Sequence, residues 1–142
     1  VKEIRSEIDI RASAERVWAI LTDFQKYGEW NPFINHVSGD PKLGEKIRIG
    51  VRTPSGKERS YEPMITRFEV GRELRWLGKS FLLSGEHVFV LEPRSESLRL
   101  VQSEMFTGLL SSFFGKETEN DILGGFRQMN EALKHRAELS SG

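Results

Sequence analysis

Residues 98–108 read LRLVQSEMFTG and alternate as a strand does, yet the phase that holds Leu98, Leu100 and Phe106 also holds Gln102 and Glu104. Alternate side chains of a strand share one face, so an amide and a carboxylate stand in the row that carries the largest apolar groups. Either that row faces solvent, or the interior it lines has a polar end. A carboxylate set in an apolar wall can orient the polar group of a ligand or move a proton.

Other chemistry finds less support. Gly78-Lys79-Ser80 ends like a phosphate-binding loop, but Glu73 occupies the position of the required first glycine. His36, His87 and His135 fall on separate elements without metal-ligand spacing, and the chain has no cysteine. Neither a metal nor any other cofactor is expected. No G-x-S-x-G occurs, which leaves a hydrolase-type nucleophile without support. The 21 basic residues balance 21 acidic ones, against a nucleic-acid binder held by net charge. Without cysteine, a long apolar run or an apolar signal core in VKEIRSEIDI, the chain is expected to be cytoplasmic, with no stable membrane insertion.

The elements that must position Gln102 and Glu104 follow from periodicity. The 142 residues make one domain, read as a single unit over 1–142, and such a domain buries roughly 70% of its unfolded surface. Ile4, Ile8 and Ile10 alternate with charges and predict a first strand. Ser13 stands as an N-cap before AERVWAILTDF, where Val17, Leu21 and Phe24 form a helical stripe. A second short turn carries Phe24, Tyr27 and Trp30, and Asn31-Pro32 ends it. From about 34 to 107 the pattern is strand after strand with short connections, an antiparallel meander. Its turns include TPSGKER at 53–59, Val70-Gly71-Arg72 and RSES before Leu98. A helix is expected from about 118 to 138, with Thr118 and Asp121 as a capping box and Ile122, Phe126, Met129 and Leu133 as its apolar stripe. Residues 140–142 are expected to fray.

Three of these segments, SAERVWAILTDFQKYGEWNPFI, SGEHVFVLEPRSESLRLVQSEMFTG and GGFRQMNEALKHR, resemble the START and pollen-allergen-like (SRPBCC) superfamily. Within it they are most similar to bacterial polyketide cyclase/dehydrase-type proteins. The resemblance covers nearly the whole chain. It implies an α+β helix-grip fold: a curved antiparallel sheet of about seven strands wrapped around a long C-terminal helix, with two short helices after the first strand. It also implies a cavity between sheet and helix that takes a small, largely apolar molecule, lipid-, sterol- or polyketide-like. A monomer or weak homodimer that binds no nucleic acid is the expected state.

On that fold the row Leu98, Leu100, Gln102, Glu104, Phe106 turns inward, as do His87, Phe89 and Leu91. A hairpin turning near 94–97 sets positions that sum to about 191 opposite each other, which pairs His87 with Glu104 and Phe89 with Gln102. The expected ligand-binding residues are Trp30, Phe33, Trp76, His87, Phe89, Leu100, Gln102, Glu104, Phe106, Phe126 and Met129. Three readings of the polar group stay open: a cross-strand pair that satisfies itself, a ligand contact, or proton transfer. Binding is the preferred reading. The alternative is a polyketide cyclase, aromatase or dehydratase acting by general acid/base chemistry, whose only candidates are His87 and Glu104, with Tyr61 as a helper of unsettled facing. Gly124-Gly125 in the last helix points to a close approach between elements or to room for a ligand.

Overall fold

A computed structural model describes residues 1–139, apart from the side chains of Ser112 and Phe113; the frayed end expected at 140–142 lies outside them. The first strand, β1 (Lys2–Ile10), buries Ile4 and Ile10 and exposes the charges between. Ser13 caps α1 (Ala14–Thr22) by accepting the Arg16 N–H at 3.1 Å. Helix α1 buries Val17, Trp18 and Leu21. A 3-10 turn (Phe24–Lys26) and the single turn α2 (Tyr27–Trp30) follow. The Asn31 Oδ1 accepts the N–H groups of Phe33 and Ile34, both at 2.9 Å, and turns the chain into β2 (Ile34–Ser38).

The remaining strands are β3 (Arg48–Arg52), β4 (Glu58–Tyr61), β5 (Met64–Glu69), β6 (Glu73–Lys79), β7 (Ser84–Pro93) and β8 (Leu98–Thr107). All pair antiparallel, in the orders β1-β8-β7-β6-β5 and β2-β3-β4. The two groups meet where the chain passes from β4 to β5 through Glu62-Pro63, with an isolated bridge between Lys46 and Met64. The segment before β3 runs beside that link, with the Ile47 N–H on the Pro63 carbonyl and the Ile65 N–H on the Glu45 carbonyl, both at 2.9 Å. Pro63 has no N–H to continue a ladder, so the sheet creases there.

After a second 3-10 turn (Leu109–Phe113), the long helix α3 (Lys116–Leu139) crosses the inner face of the sheet and buries Phe126, Met129, Leu133 and Ala137. Both its ends are tied. Near the C-terminus, the Lys134 ammonium donates to the Asp9 carbonyl at 2.9 Å, and the Glu138 carboxylate accepts the Arg11 N–H at 2.8 Å. Near the N-terminus, the Asp121 carboxylate accepts the N–H and the hydroxyl of Ser55 at 2.9 and 2.6 Å. Asp121, expected in a capping box with Thr118, therefore clasps the β3–β4 hairpin, and the helix begins two residues earlier than its periodicity predicts. The glycine pair lies under that clasp. A Cβ at residue 125 would overlap the Phe33 ring, and one at residue 124 would stand 3.2 Å from Pro54.

Candidate functional site

The register expected from the β7–β8 turn is the observed one: His87 faces Glu104 and Phe89 faces Gln102. On the next strand, Trp76 faces His87, with ring centroids 5.5 Å apart. The inner row of β7 and β8 thus stacks Leu91 and Leu100, then Phe89 and Gln102, then His87 and Glu104, and ends at Gly85 and Phe106. Gln102 is 0% exposed, so the row is interior and carries its amide into the core.

A burial so complete requires partners, and the amide has three. The Gln102 Nε2 donates to the Asn130 Oδ1 at 2.8 Å and to the Phe126 carbonyl at 3.4 Å, while the Gln102 Oε1 faces the His87 Nε2 at 2.8 Å. The Asn130 Nδ2 donates in turn to the Ser6 hydroxyl at 3.3 Å. The Phe126 carbonyl can only accept, which sets the orientation of the Gln102 amide. The His87 Nε2 must then carry the hydrogen and donate it. All donors of this relay point from His87 through Gln102 and Asn130 toward Ser6, and the His87 Nδ1 is left facing the Glu104 Oε1 at 3.4 Å. A bare nitrogen lone pair against a carboxylate would be repulsive, so this contact is favourable when one proton lies between the two groups.

Glu104 marks where the row regains contact with solvent. Its side chain is 22% exposed, against 5% for His87. The second carboxylate oxygen lies over Gly85, where a Cβ would come within 2.5 Å of it. Phe106 packs on Phe114 at 4.7 Å between centroids. Tyr61 completes this end from β4: it pairs with the buried Ile49 and shares its inner face, as Arg59 shares that of Val51. Tyr61 is half exposed, and its phenol is held above the usual range by partial burial and then by the charge of Glu104, with Arg59 opposing. The facing of Tyr61, open in the sequence, is thereby toward the opening.

The expected site residues separate into groups. Trp76, His87, Phe89, Leu100, Gln102, Phe126 and Met129 form one packed body with the relay through it, and Phe33 joins it against Phe126 at 5.7 Å. Phe89, Leu100, Phe126 and Met129 are 0% exposed, so side chains fill the stretch where a cavity was expected. Glu104 and Phe106 stand at its open end. Trp30 is not brought to this group. It packs edge-on against Tyr27 and lines a recess of about 670 Å³ between α1, α2 and the C-terminal half of α3. The relay also contains two residues that were not expected, Ser6 and Asn130. Ser6 shares the phase of Ile4, Ile8 and Ile10, and Asn130 lies one turn beyond Phe126 in the helix stripe, so the signal that marks Gln102 was present at both. Among the described residues, no group of three or more His, Asp or Glu side chains could hold a metal, and no helix is long and apolar enough to cross a membrane.

The family model described as "Polyketide cyclase / dehydrase and lipid transport" matches residues 2–138. The chain belongs to that family. Its structure is similar to that of the protein TTHA0849 from Thermus thermophilus, with a TM-score of 0.80 at 16% identity, covering 99% of this chain and 100% of that one. A START superfamily protein from Mycobacterium smegmatis superposes with a TM-score of 0.76 at 19% identity, covering 96% and 97%. DynU16, from the dynemicin biosynthetic locus, gives 0.75 at 15% identity, covering 97% of this chain and 48% of that one. No curated protein matches the chain in sequence. These likenesses establish the helix-grip fold for this member of the polyketide cyclase/dehydrase and lipid transport family.

Proposed function

We propose that this family member binds a small, largely apolar molecule in the wedge between sheet and α3, with the polar group of the ligand at Glu104 and its body against Phe106, Phe114 and Tyr61. The observation that carries this reading is the position of Glu104, a mostly covered carboxylate at the solvent-reaching end of a largely apolar wall, beside a histidine whose Nε2 proton is fixed by a buried relay. In a packed interior such a group has no structural need to reach the opening. Access requires the Phe106–Phe114 contact to part. A ring system burying roughly 150–250 Å² would gain roughly 4–6 kcal/mol from burial, before the costs of binding.

Native mass spectrometry of the purified protein, with denaturing extraction of whatever is bound, tests this directly. The expected result is a stoichiometric apolar adduct that is lost in Gly85→Val, which pushes a side chain into the opening. An adduct indifferent to Gly85→Val would place the ligand elsewhere, with the Trp30 recess the next place to look.

One observation favours a second reading of the same site. The contact of the His87 Nδ1 with the Glu104 Oε1, at 3.4 Å, lies at the partly exposed end of the row, where a general acid or base of ring closure or dehydration would have to stand. Glu104→Gln separates the two. In an enzyme it would abolish turnover of a polyketide-like substrate while affinity stays within a few-fold; in a carrier it would change affinity or nothing.

A further inference from the structure

We propose that the site selects the inner polar group of its ligand as a neutral hydroxyl, an alcohol or phenol, and excludes a carbonyl or carboxylate there; this rests on the binding reading above. The hydrogen-bond inventory of the open end leads to it. The Nε2–H of His87 is taken by Gln102, and the Nδ1 is turned to Glu104. The Gln102 amide hydrogens go to Asn130 and the Phe126 carbonyl. Each donor that reaches this end from the relay is thus already engaged. The Glu104 carboxylate meets His87 at 3.4 Å and acts through its charge on the Tyr61 phenol, and its second oxygen rests over the bare backbone of Gly85. What remains at the inner end, over Gly85, is an acceptor; the Tyr61 hydroxyl, on a side chain 48% exposed, is left to the outer part of a ligand.

An acceptor pairs only with a donor. A carbonyl or carboxylate would meet Glu104 lone pair to lone pair, and the carboxylate would add charge repulsion. An ammonium would match the charge but would have to leave water for a wall of Phe106 and Phe114, which is costly for a full charge. A hydroxyl donates at a fraction of that cost. The only cation placed on this inner face by the β3–β4 pairing is Arg59, which is exposed at the rim. An anionic group is therefore accommodated at the outer end of a ligand and not the inner one.

Three probes of one shape test this by isothermal titration at neutral pH: 2-naphthol, 2-methoxynaphthalene, which keeps the oxygen but loses the donor, and 2-naphthoate. The expected result is that 2-naphthol binds about tenfold or more tightly than either of the others, as a hydrogen bond to a charged acceptor implies. The preference should collapse in Glu104→Leu, and in Glu104→Gln the penalty on 2-naphthoate should shrink. Equal binding of 2-naphthol and 2-methoxynaphthalene, or tighter binding of 2-naphthoate, overturns the hydroxyl assignment and leaves the binding reading standing. Failure of all three to bind at their solubility limits overturns the binding reading and this inference with it. The comparison in the unaltered protein needs no variant to fold.

Discussion

Gln102→Met keeps the length and most of the volume of a fully buried side chain and removes only its polar atoms. Two buried groups then lose their partner: the His87 Nε2–H and the Asn130 Oδ1, in residues 4% and 2% exposed. The Phe126 carbonyl, inside α3, retains its helical partner and loses little. An orphaned buried donor or acceptor costs about 1–3 kcal/mol, so the two together cost about 2–6. The thioether recovers part of this through its apolar burial, which leaves a net destabilisation of about 2–4 kcal/mol. That is a large share of the roughly 5–15 kcal/mol that holds a domain together. It should lower the melting temperature by roughly 5–15 °C for a chain of this size. Urea unfolding followed by tryptophan fluorescence measures it. The triple variant His87→Phe, Gln102→Met, Asn130→Leu, which also removes the two buried groups that Gln102→Met leaves unpaired, should be more stable than Gln102→Met alone. A loss below about 1 kcal/mol in the single variant, or a triple variant less stable than the single, would refute the relay as the reason these groups tolerate burial.

The glycine pair of α3 should respond unequally. Gly125→Ala sets a methyl into the Phe33 ring, itself packed on Phe126, and overpacking of this kind costs typically about 1–3 kcal/mol. Gly124→Ala meets only the edge of Pro54, and the roughly 1 kcal/mol of helix propensity it gains should leave stability unchanged or raised. Thermal melts of the two variants decide this, and equal losses would contradict it. The hairpin clasp should depend on acid. Burial pushes the Asp121 carboxyl up, but hydrogen bonds from Ser55 and Thr53 outweigh it and hold the group below its ordinary value. A depressed acid contributes stability that is complete above the unfolded value, about 3.9, and is lost as the pH falls through the folded value. The Ser55 amide proton shift should therefore hold at about pH 5 and move only below about pH 4; a transition centred above that would count against the clasp.

Much of this was legible because strand periodicity and a short turn leave few choices. Once Pro93 and Leu98 bound the β7–β8 turn, His87 has to face Glu104, and the observed pairing follows. The Ser13 cap, the stop at Asn31-Pro32 and the stripe of α3 were equally local. The relay was not, since Ser6, Gln102 and Asn130 lie on three elements whose mutual distance depends on how closely α3 sits on the sheet. The crease at Pro63 and the clasp of Asp121 on Ser55 arise from contacts 66 residues apart in sequence in the second case, which no periodicity reports. The filled interior is a matter of volumes rather than pattern, and an alternating row reads the same whether it lines a core or a cavity.

The relay has one more consequence, for size. It bridges β7 to β8, β8 to α3 and α3 to β1, and so it acts as a floor across these elements. Gln102 lies two residues inward of Glu104, about 6–7 Å along the strand. A molecule anchored at Glu104, as proposed, could displace side chains inward by no more than that before it had to break buried hydrogen bonds. The chain beyond, from Leu100 to Leu133, is reserved for the protein itself. On the proposed binding reading, an intact floor would admit a compact ring system and turn away an acyl chain laid along the sheet, so the depth of the site would set an upper limit on its guests.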